Sequence, residues 1–90
     1  MSKISEIKDL ISKNNTGKAA ILADELLSGE PENSEAWYLR GKLWWRSGER
    51  TRAMSCYSRA VSIDPDSPAA TALEQANAIA DFFNPDLLNP

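Results

Sequence analysis

The stretch that decides the fold is residues 34–67, SEAWYLRGKLWWRSGERTRAMSCYSRAVSIDPDS. Its first half predicts a helix that starts near Ser34 and stops at Gly48, since glycine is a common helix terminator. Its second half has an apolar stripe at helical spacing and predicts a helix that ends before Asp64-Pro65, because the residue before a proline is disfavoured in the helical region. The stretch therefore predicts two consecutive helices joined by a short turn.

Small residues alternate with large aromatic residues in these two helices. Trp37, Gly41 and Trp44 fall within a narrow arc of the first helix. Gly41 has no side chain, and Ala53 is similarly small on the second helix, so the two helices can approach each other closely. We therefore expect Trp37, Trp44 and Tyr57 to be core residues.

Two helices are predicted before this stretch. The first is a short amphipathic helix that Asn14 and Asn15 interrupt. The second has Thr16 as its predicted N-cap and Gly29 as its predicted left-handed terminator.

One helix is predicted after the stretch. Ser67 and Pro68 form an N-cap and a first-turn proline, and an apolar stripe continues until Asn84-Pro85. Five helices with short connections and no strand pattern predict an all-α fold.

The chain is similar to itself at an offset of 34 residues. The offset superposes Ala19 on Ala53 and Pro31 on Pro65. Two helices for every 34 residues is the period of tetratricopeptide repeats, whose pattern is Trp-x2-Leu-Gly-x2-Tyr, then Ala-x3-Phe, then Pro.

Residues 34–67 resemble this family closely. In one departure, Arg40 stands where the family usually has Leu and Leu39 comes one place earlier, so we expect the packing between adjacent helices to differ there. The resemblance implies antiparallel helix pairs stacked as a short right-handed superhelix, an α-solenoid. The matching positions are Trp37, Gly41, Ala53, Ala60 and Pro65, with aromatic replacements at Trp44 and Tyr57.

The resemblance also divides the chain, which we expect to be a single domain over residues 1–90. Residues 34–67 are the well-matched repeat. The other predicted parts are a degenerate repeat at 1–33, a capping helix at 68–84 and a tail at 85–90.

Composition argues against most enzyme classes. The 90 residues include one Cys and no His, which removes the usual zinc sites, Ser-His and Cys-His catalysis, and an internal disulfide. Neither glycine-rich phosphate-binding pattern occurs. We therefore predict no catalytic residue, no metal and no cofactor, and we interpret Cys56 as an inert small side chain.

The charge is unevenly distributed. Ten basic and 13 acidic residues give a net charge of −3, which provides no general attraction to nucleic acid or to an anionic membrane. Residues 34–59 hold six basic and two acidic residues, a local net charge of +4. No apolar run is long enough to span a bilayer, and charged residues occupy the place of a signal peptide, so we predict a cytoplasmic protein.

The candidate site is the face of the third predicted helix that lies away from Trp37. The resemblance implies that the first helix of each pair lines a concave groove. Arg and Lys side chains can pair with carboxylates, and Trp and Tyr offer large stacking surfaces, so we predict a peptide ligand that can bear a carboxylate. The predicted groove residues are Tyr38, Lys42, Trp45, Arg46, Lys8 and Glu35.

The resemblance adds groove positions from the flanking helices. The carboxylate clamp of some family members is absent, because the required Lys, Asn and Arg do not occur at its positions. The added positions are Ile4, Ile11 and Ser12 from the first helix, and Ala69, Ala72, Ala76 and Ile79 from the last.

Two alternatives remain open at this point. Lys42 and Arg46 can be solvated surface charges, with Trp45 packed against a neighbouring helix. The chain can also be a self-associating structural module, because a short repeat array exposes apolar ends. In the tail, Leu87 and Leu88 are predicted either to cover the last helix or to form a dimer contact.

Overall fold

The computed structural model describes the backbone of residues 3–83 and the side chains of residues 3–76. Within that part the chain forms five α-helices, so the all-α prediction is confirmed. The helices are α1 (Lys3–Ser12), α2 (Thr16–Gly29), α3 (Ser34–Arg46), α4 (Arg50–Ile63) and α5 (Ala69–Phe83).

Both ends of α3 and the start of α5 lie where the sequence predicts them. Asn33 caps α3, because its side-chain oxygen accepts a hydrogen bond of 3.1 Å from the backbone N–H of Ala36. Just after α3, Gly48 adopts the left-handed conformation with φ of +88°. Ser67 caps α5 through a hydroxyl that accepts a hydrogen bond of 3.1 Å from the backbone N–H of Ala69.

The caps predicted for α2 are wrong, although the helix does end at Gly29. Thr16 is the first residue of the helix, and Asn15 occupies the N-cap position. The chain leaves α2 through Glu30, with φ of −135° and ψ of 72°, rather than through a left-handed Gly29. The left-handed residue lies in the preceding turn, where Asn14 has φ of +62°, a conformation that asparagine tolerates better than most residues.

The helices pack in the order of the chain. The consecutive pairs α1 and α2, α2 and α3, α3 and α4, and α4 and α5 are all in contact, and α1 also contacts α3. This arrangement is a stack of antiparallel helix pairs, as in a short α-solenoid. Helix α3 lies in the middle of the stack and is therefore enclosed on more than one side.

Two apolar clusters form the core, and α3 contributes to both. The first cluster joins α1, α2 and α3, and the second joins α4 to the start of α5. The buried members of the first cluster are Ile7, Ala19, Ala23, Leu26, Ala36, Leu39 and Leu43. The buried members of the second cluster are Ala53, Tyr57, Ala60 and Ala69.

The predicted aromatic core is correct for Tyr57 but wrong in part for the tryptophans. Trp37 and Trp44 are only half-buried, and they pack against the edge of the second cluster. The Trp37 indole donates a hydrogen bond of 2.9 Å to the backbone carbonyl of Pro31, which keeps its polar end at the surface. Leu39 and Leu43 are the large buried side chains of α3, because α1 and α2 enclose that side of the helix.

Arg40 connects α3 to α2. Its Nε donates to Asp24 Oδ1 at 2.8 Å, and its guanidinium carbon lies 4.2 Å from the centroid of the Trp44 ring. A charged contact between these helices thus takes the place of the apolar contact that a leucine would make.

No helix within residues 3–83 is both long enough and apolar enough to cross a membrane. The predictions for Leu87 and Leu88 concern residues outside the part that the structure describes.

Candidate functional site

Two adjacent pockets lie along the predicted face of α3, and Tyr38 and Lys42 line both of them. Four residues of α3 take part: Tyr38 and Lys42 at the centre, with Trp45 and Arg46 one turn further along. Their spacing of three or four residues places them on one side of the helix. We call the combined surface of the two pockets the groove.

The first pocket is formed between α3 and α1 and has a volume of about 360 Å³. Leu39 forms part of its wall, although most of that side chain is buried in the core. Its lining residues are Lys8, Ile11, Ser12, Tyr38, Leu39, Lys42 and Arg46.

The second pocket is formed between α3, α4 and α5 and has a volume of about 230 Å³. The small side chains on α5 leave room beside the Trp45 ring. Its lining residues are Tyr38, Lys42, Trp45, Tyr57, Ala72, Gln75 and Ala76.

The charges of the groove are arranged around Lys42. At one end, Lys8 Nζ and Glu35 Oε2 form an ion pair of 2.7 Å and neutralise each other. Lys42 Nζ lies 5.5 Å from the centroid of the Tyr38 ring, within the range of a cation–π interaction. The positive charge of the groove therefore comes from Lys42 and Arg46.

Arg46 is held in place by α1. Its Nη1 donates a hydrogen bond of 3.1 Å to the backbone carbonyl of Ile11. This carbonyl belongs to the last turn of α1, where carbonyl groups carry partial negative charge, and it also accepts a hydrogen bond of 2.9 Å from the backbone N–H of Asn14. A guanidinium has five N–H donors, so this bond leaves most of the Arg46 donor capacity for a ligand.

The structure brings the six predicted residues onto one side of the molecule. Five of them line the groove, whereas Glu35 reaches it only through its ion pair with Lys8.

Two positions that the resemblance placed in the groove lie elsewhere. Ile4 lines a separate cleft with Leu26 and Asn33. Ala69 is fully buried in the second apolar cluster, because the first turn of α5 packs against α4. Ile79 lies beyond the side chains that the structure describes.

Three lining residues lie outside the predicted set, namely Leu39, Tyr57 and Gln75. Gln75 follows Ala72 by three residues on α5, and this helical spacing was a signal that could have identified it. Tyr57 was interpreted as core only. It is 4% exposed and belongs to the core, but its ring also forms part of the wall of the second pocket.

Burial affects the two titratable side chains at the centre of α4. It raises the pKa of the Tyr57 hydroxyl to about 12 from 10.0. Burial also raises the pKa of the Cys56 thiol, an effect that the Arg40 charge partly opposes. A buried thiol with a raised pKa is a poor nucleophile, which fits the interpretation of Cys56 as inert.

We predict that the protein loses stability at alkaline pH because of Tyr57. The unfolded chain releases the phenol proton near pH 10.0, whereas the folded chain retains it up to about pH 12. The stabilisation is therefore complete below pH 10.0 and is lost as the pH rises toward 12. Urea unfolding at several pH values measures this loss, and Tyr57→Phe should lose less stability over the same range. Identical pH dependence in the two proteins would contradict the prediction.

No group of three or more His, Cys, Asp or Glu side chains is placed to hold a metal ion in the part of the chain that the structure describes.

Stacked antiparallel helix pairs with a groove along α3 define a helical repeat protein. Residues 34–67 match the family model described as "Tetratricopeptide repeat". Residues 34–67 belong to the tetratricopeptide repeat family, and the predicted resemblance is confirmed.

Two proteins are similar to this chain in sequence, and one of them also in structure. The solution NMR structure of a Bacteroides fragilis protein is 33% identical, with a TM-score of 0.85, and the match covers 99% of this chain and 91% of that one. A Schizosaccharomyces pombe protein named "DnaJ homolog subfamily C member 7 homolog" is 36% identical over 63 residues, which is 70% of this chain. The match covers 13% of the length of the yeast protein.

Proposed function

We propose that the groove binds a peptide segment of another protein. Tetratricopeptide repeats generally mediate protein–protein interactions. In this proposal a carboxylate of the peptide pairs with Lys42 and Arg46, and an apolar side chain of the peptide enters the pocket beside Trp45. The protein is then a non-catalytic binding module that acts as an adaptor or scaffold.

One observation carries the proposal. Tyr38 and Lys42 line both pockets, so an aromatic surface and a positive charge lie at the point where the pockets meet. A ligand that spans both pockets would contact α1, α3 and α5 together. A single extended peptide has the right shape for such a surface, and its termini or acidic side chains supply the matching charge.

The proposal also assigns a role to each part of the chain. Residues 34–67 form the repeat that supplies the centre of the groove. Residues 1–33 act as a degenerate repeat that supplies its α1 side, and residues 68–84 act as a capping helix that supplies its α5 side. The whole chain is then one domain, since removal of α1 or α5 would remove one wall of a pocket.

We expect charge reversal in the groove to abolish selection of the acidic peptides that bind there. Random peptides displayed on phage are selected on the wild type and on a variant with Lys42→Glu and Arg46→Glu. Repulsion should replace attraction at the place where the carboxylate binds, so the acidic peptides that the wild type binds through the groove should be lost. Lys42 is half-buried and Arg46 is exposed, so the variant should still fold, and circular dichroism checks this.

A matched control reverses two charges on another surface. Arg52→Glu with Arg59→Glu changes the net charge by the same amount, and neither residue lines the groove. The control should keep the peptides that depend on the groove. If both variants lose the same peptides, attraction to net charge explains the binding. If the groove variant keeps them, the proposal is wrong.

A second candidate function is self-association through the outer face of α1 and α2. Ile21 is 63% exposed, and it borders a pocket of about 440 Å³ between these two helices. In a longer array another helix would cover this face. If a second copy covers it here, sedimentation should reveal a concentration-dependent dimer that Ile21→Asp removes. A monomer at every concentration would exclude this candidate.

A further inference from the structure

A second cationic and aromatic surface lies on the side of α3 away from Tyr38 and Lys42. On α4, the guanidinium carbon of Arg52 lies 4.8 Å from the centroid of the Trp44 ring. The guanidinium carbon of Arg59 lies 5.9 Å from the centroid of the Trp37 ring. Arg40 also lies over Trp44. We call these five residues, Trp37, Arg40, Trp44, Arg52 and Arg59, the arginine–tryptophan face.

The three arginines of this face differ in their charge partners. Arg40 is paired with Asp24 at 2.8 Å, and its side chain is only 13% exposed. Arg52 and Arg59 are exposed, and neither has a carboxylate at ion-pair distance among the side chains that the structure describes. Two positive charges on this face are therefore available to an external anion.

The tryptophans hold these two charges in defined places. A guanidinium that lies over an aromatic ring keeps its N–H groups at its edges, where a carboxylate can accept two parallel hydrogen bonds. Less side-chain freedom is then lost on binding than with an unrestrained arginine. The arrangement thus favours a ligand with separate carboxylates over nonspecific association with small anions.

The spacing of the two arginines identifies the ligand more closely. Arg52 and Arg59 are seven residues apart on α4, which corresponds to two turns and about 10.5 Å along the helix. In a polyproline II segment the rise is ~3.1 Å per residue with three residues per turn, so side chains at i and i+3 share one side about 9.3 Å apart. We propose that the arginine–tryptophan face binds an extended acidic peptide whose carboxylates are three residues apart.

The charge of the whole chain favours a short acidic peptide over a nucleic acid. The net charge is −3, so a long polyanion would be repelled by the rest of the surface. A short peptide with two carboxylates interacts mainly with the local charges. This surface is separate from the groove, and the proposal does not depend on the function proposed for the groove.

Two labelled peptides of equal composition test the spacing. The first is acetyl-Glu-Pro-Pro-Glu-Pro-Pro-amide with its two carboxylates three residues apart, and the second is acetyl-Glu-Glu-Pro-Pro-Pro-Pro-amide with adjacent carboxylates. Fluorescence anisotropy at low salt should show that the first binds roughly two- to fivefold more tightly, the range for one additional exposed ion pair. Equal affinities would overturn the proposal, and so would displacement of the spaced peptide by a lower concentration of single-stranded DNA than of unlabelled peptide.

Matched arginine variants test the location. Arg59→Gln should weaken binding of the spaced peptide by about two- to fivefold. Arg50→Gln removes the same charge from the same helix, but Arg50 lies 5.3 Å from the centroid of the Trp45 ring, and binding should not change. Equal losses in Arg50→Gln and Arg59→Gln would overturn the proposal.

Discussion

Leu39→Ala is expected to lower the free energy of unfolding by about 2–5 kcal/mol. Leu39 is 2% exposed and is one of the two largest fully buried side chains among the described residues, the other being Ile7. It lies at the centre of the stack, in the cluster that joins α3 to α1 and α2. Because helices enclose it on several sides, the surrounding structure cannot easily close the cavity that the truncation leaves. Urea unfolding monitored by circular dichroism measures the change.

The control for this prediction is Ile21→Ala, a truncation of similar size at the surface. Ile21 is 63% exposed, so its truncation should change the stability by no more than about 0.5 kcal/mol. If the two variants lose similar stability, the assignment of Leu39 to the core is wrong.

Gly41→Ala is expected to lower the free energy of unfolding by about 1–3 kcal/mol, the range for overpacked cores. A Cβ atom at this position would lie 2.6 Å from Tyr57 Cε1 and 2.7 Å from Tyr57 Cδ1. It would also lie 3.2 Å from the backbone carbonyl oxygen of Ala53. Tyr57 is buried and cannot turn away without disturbing the second cluster, so α3 and α4 must separate. Thermal and urea unfolding measure the loss.

Gly17→Ala is the matched control. Gly17 lies inside α2, and a Cβ atom there would meet nothing within 4 Å. Alanine restricts the unfolded chain more than glycine and favours the helix, so this variant should gain about 0.4–1 kcal/mol. We therefore expect the free energy of unfolding to fall in Gly41→Ala and to rise in Gly17→Ala. A neutral Gly41→Ala would contradict the close contact between α3 and α4.

Much of the fold could be predicted because it depends on local signals. The helical spacing of apolar residues and the positions of Gly48 and Pro65 predict where α3 and α4 end, and the offset of 34 residues predicts their pairing. The identity of the α3 core was harder to predict. Trp37 and Leu39 are only two residues apart, and which of them is buried depends on how α1 and α2 lie against α3.

The candidate site also combines features that local signals predict with features that depend on how the helices pack. Tyr38 and Lys42 could be placed on one face from helical spacing alone, because both lie on α3. The contacts between helices could not be predicted in this way. Arg46 and the Ile11 carbonyl are 35 residues apart, and Arg40 and Asp24 are 16 residues apart. Their contact depends on the stacking angle of the helix pairs, which residue spacing within one helix does not determine.

The most direct test of peptide binding in the groove uses the three tryptophans as reporters. Trp45 lines the groove, whereas Trp37 and Trp44 belong to the arginine–tryptophan face. Each indole N–H gives its own signal in a 1H–15N NMR spectrum. The 15N-labelled protein can therefore be titrated with an acidic peptide that phage selection enriches on the wild type but not on the variant with Lys42→Glu and Arg46→Glu. We predict that the Trp45 indole signal shifts in a saturable way while the other two signals stay in place. Shifts of the Trp37 and Trp44 signals with an unchanged Trp45 signal would contradict the assignment of the groove as the peptide-binding site.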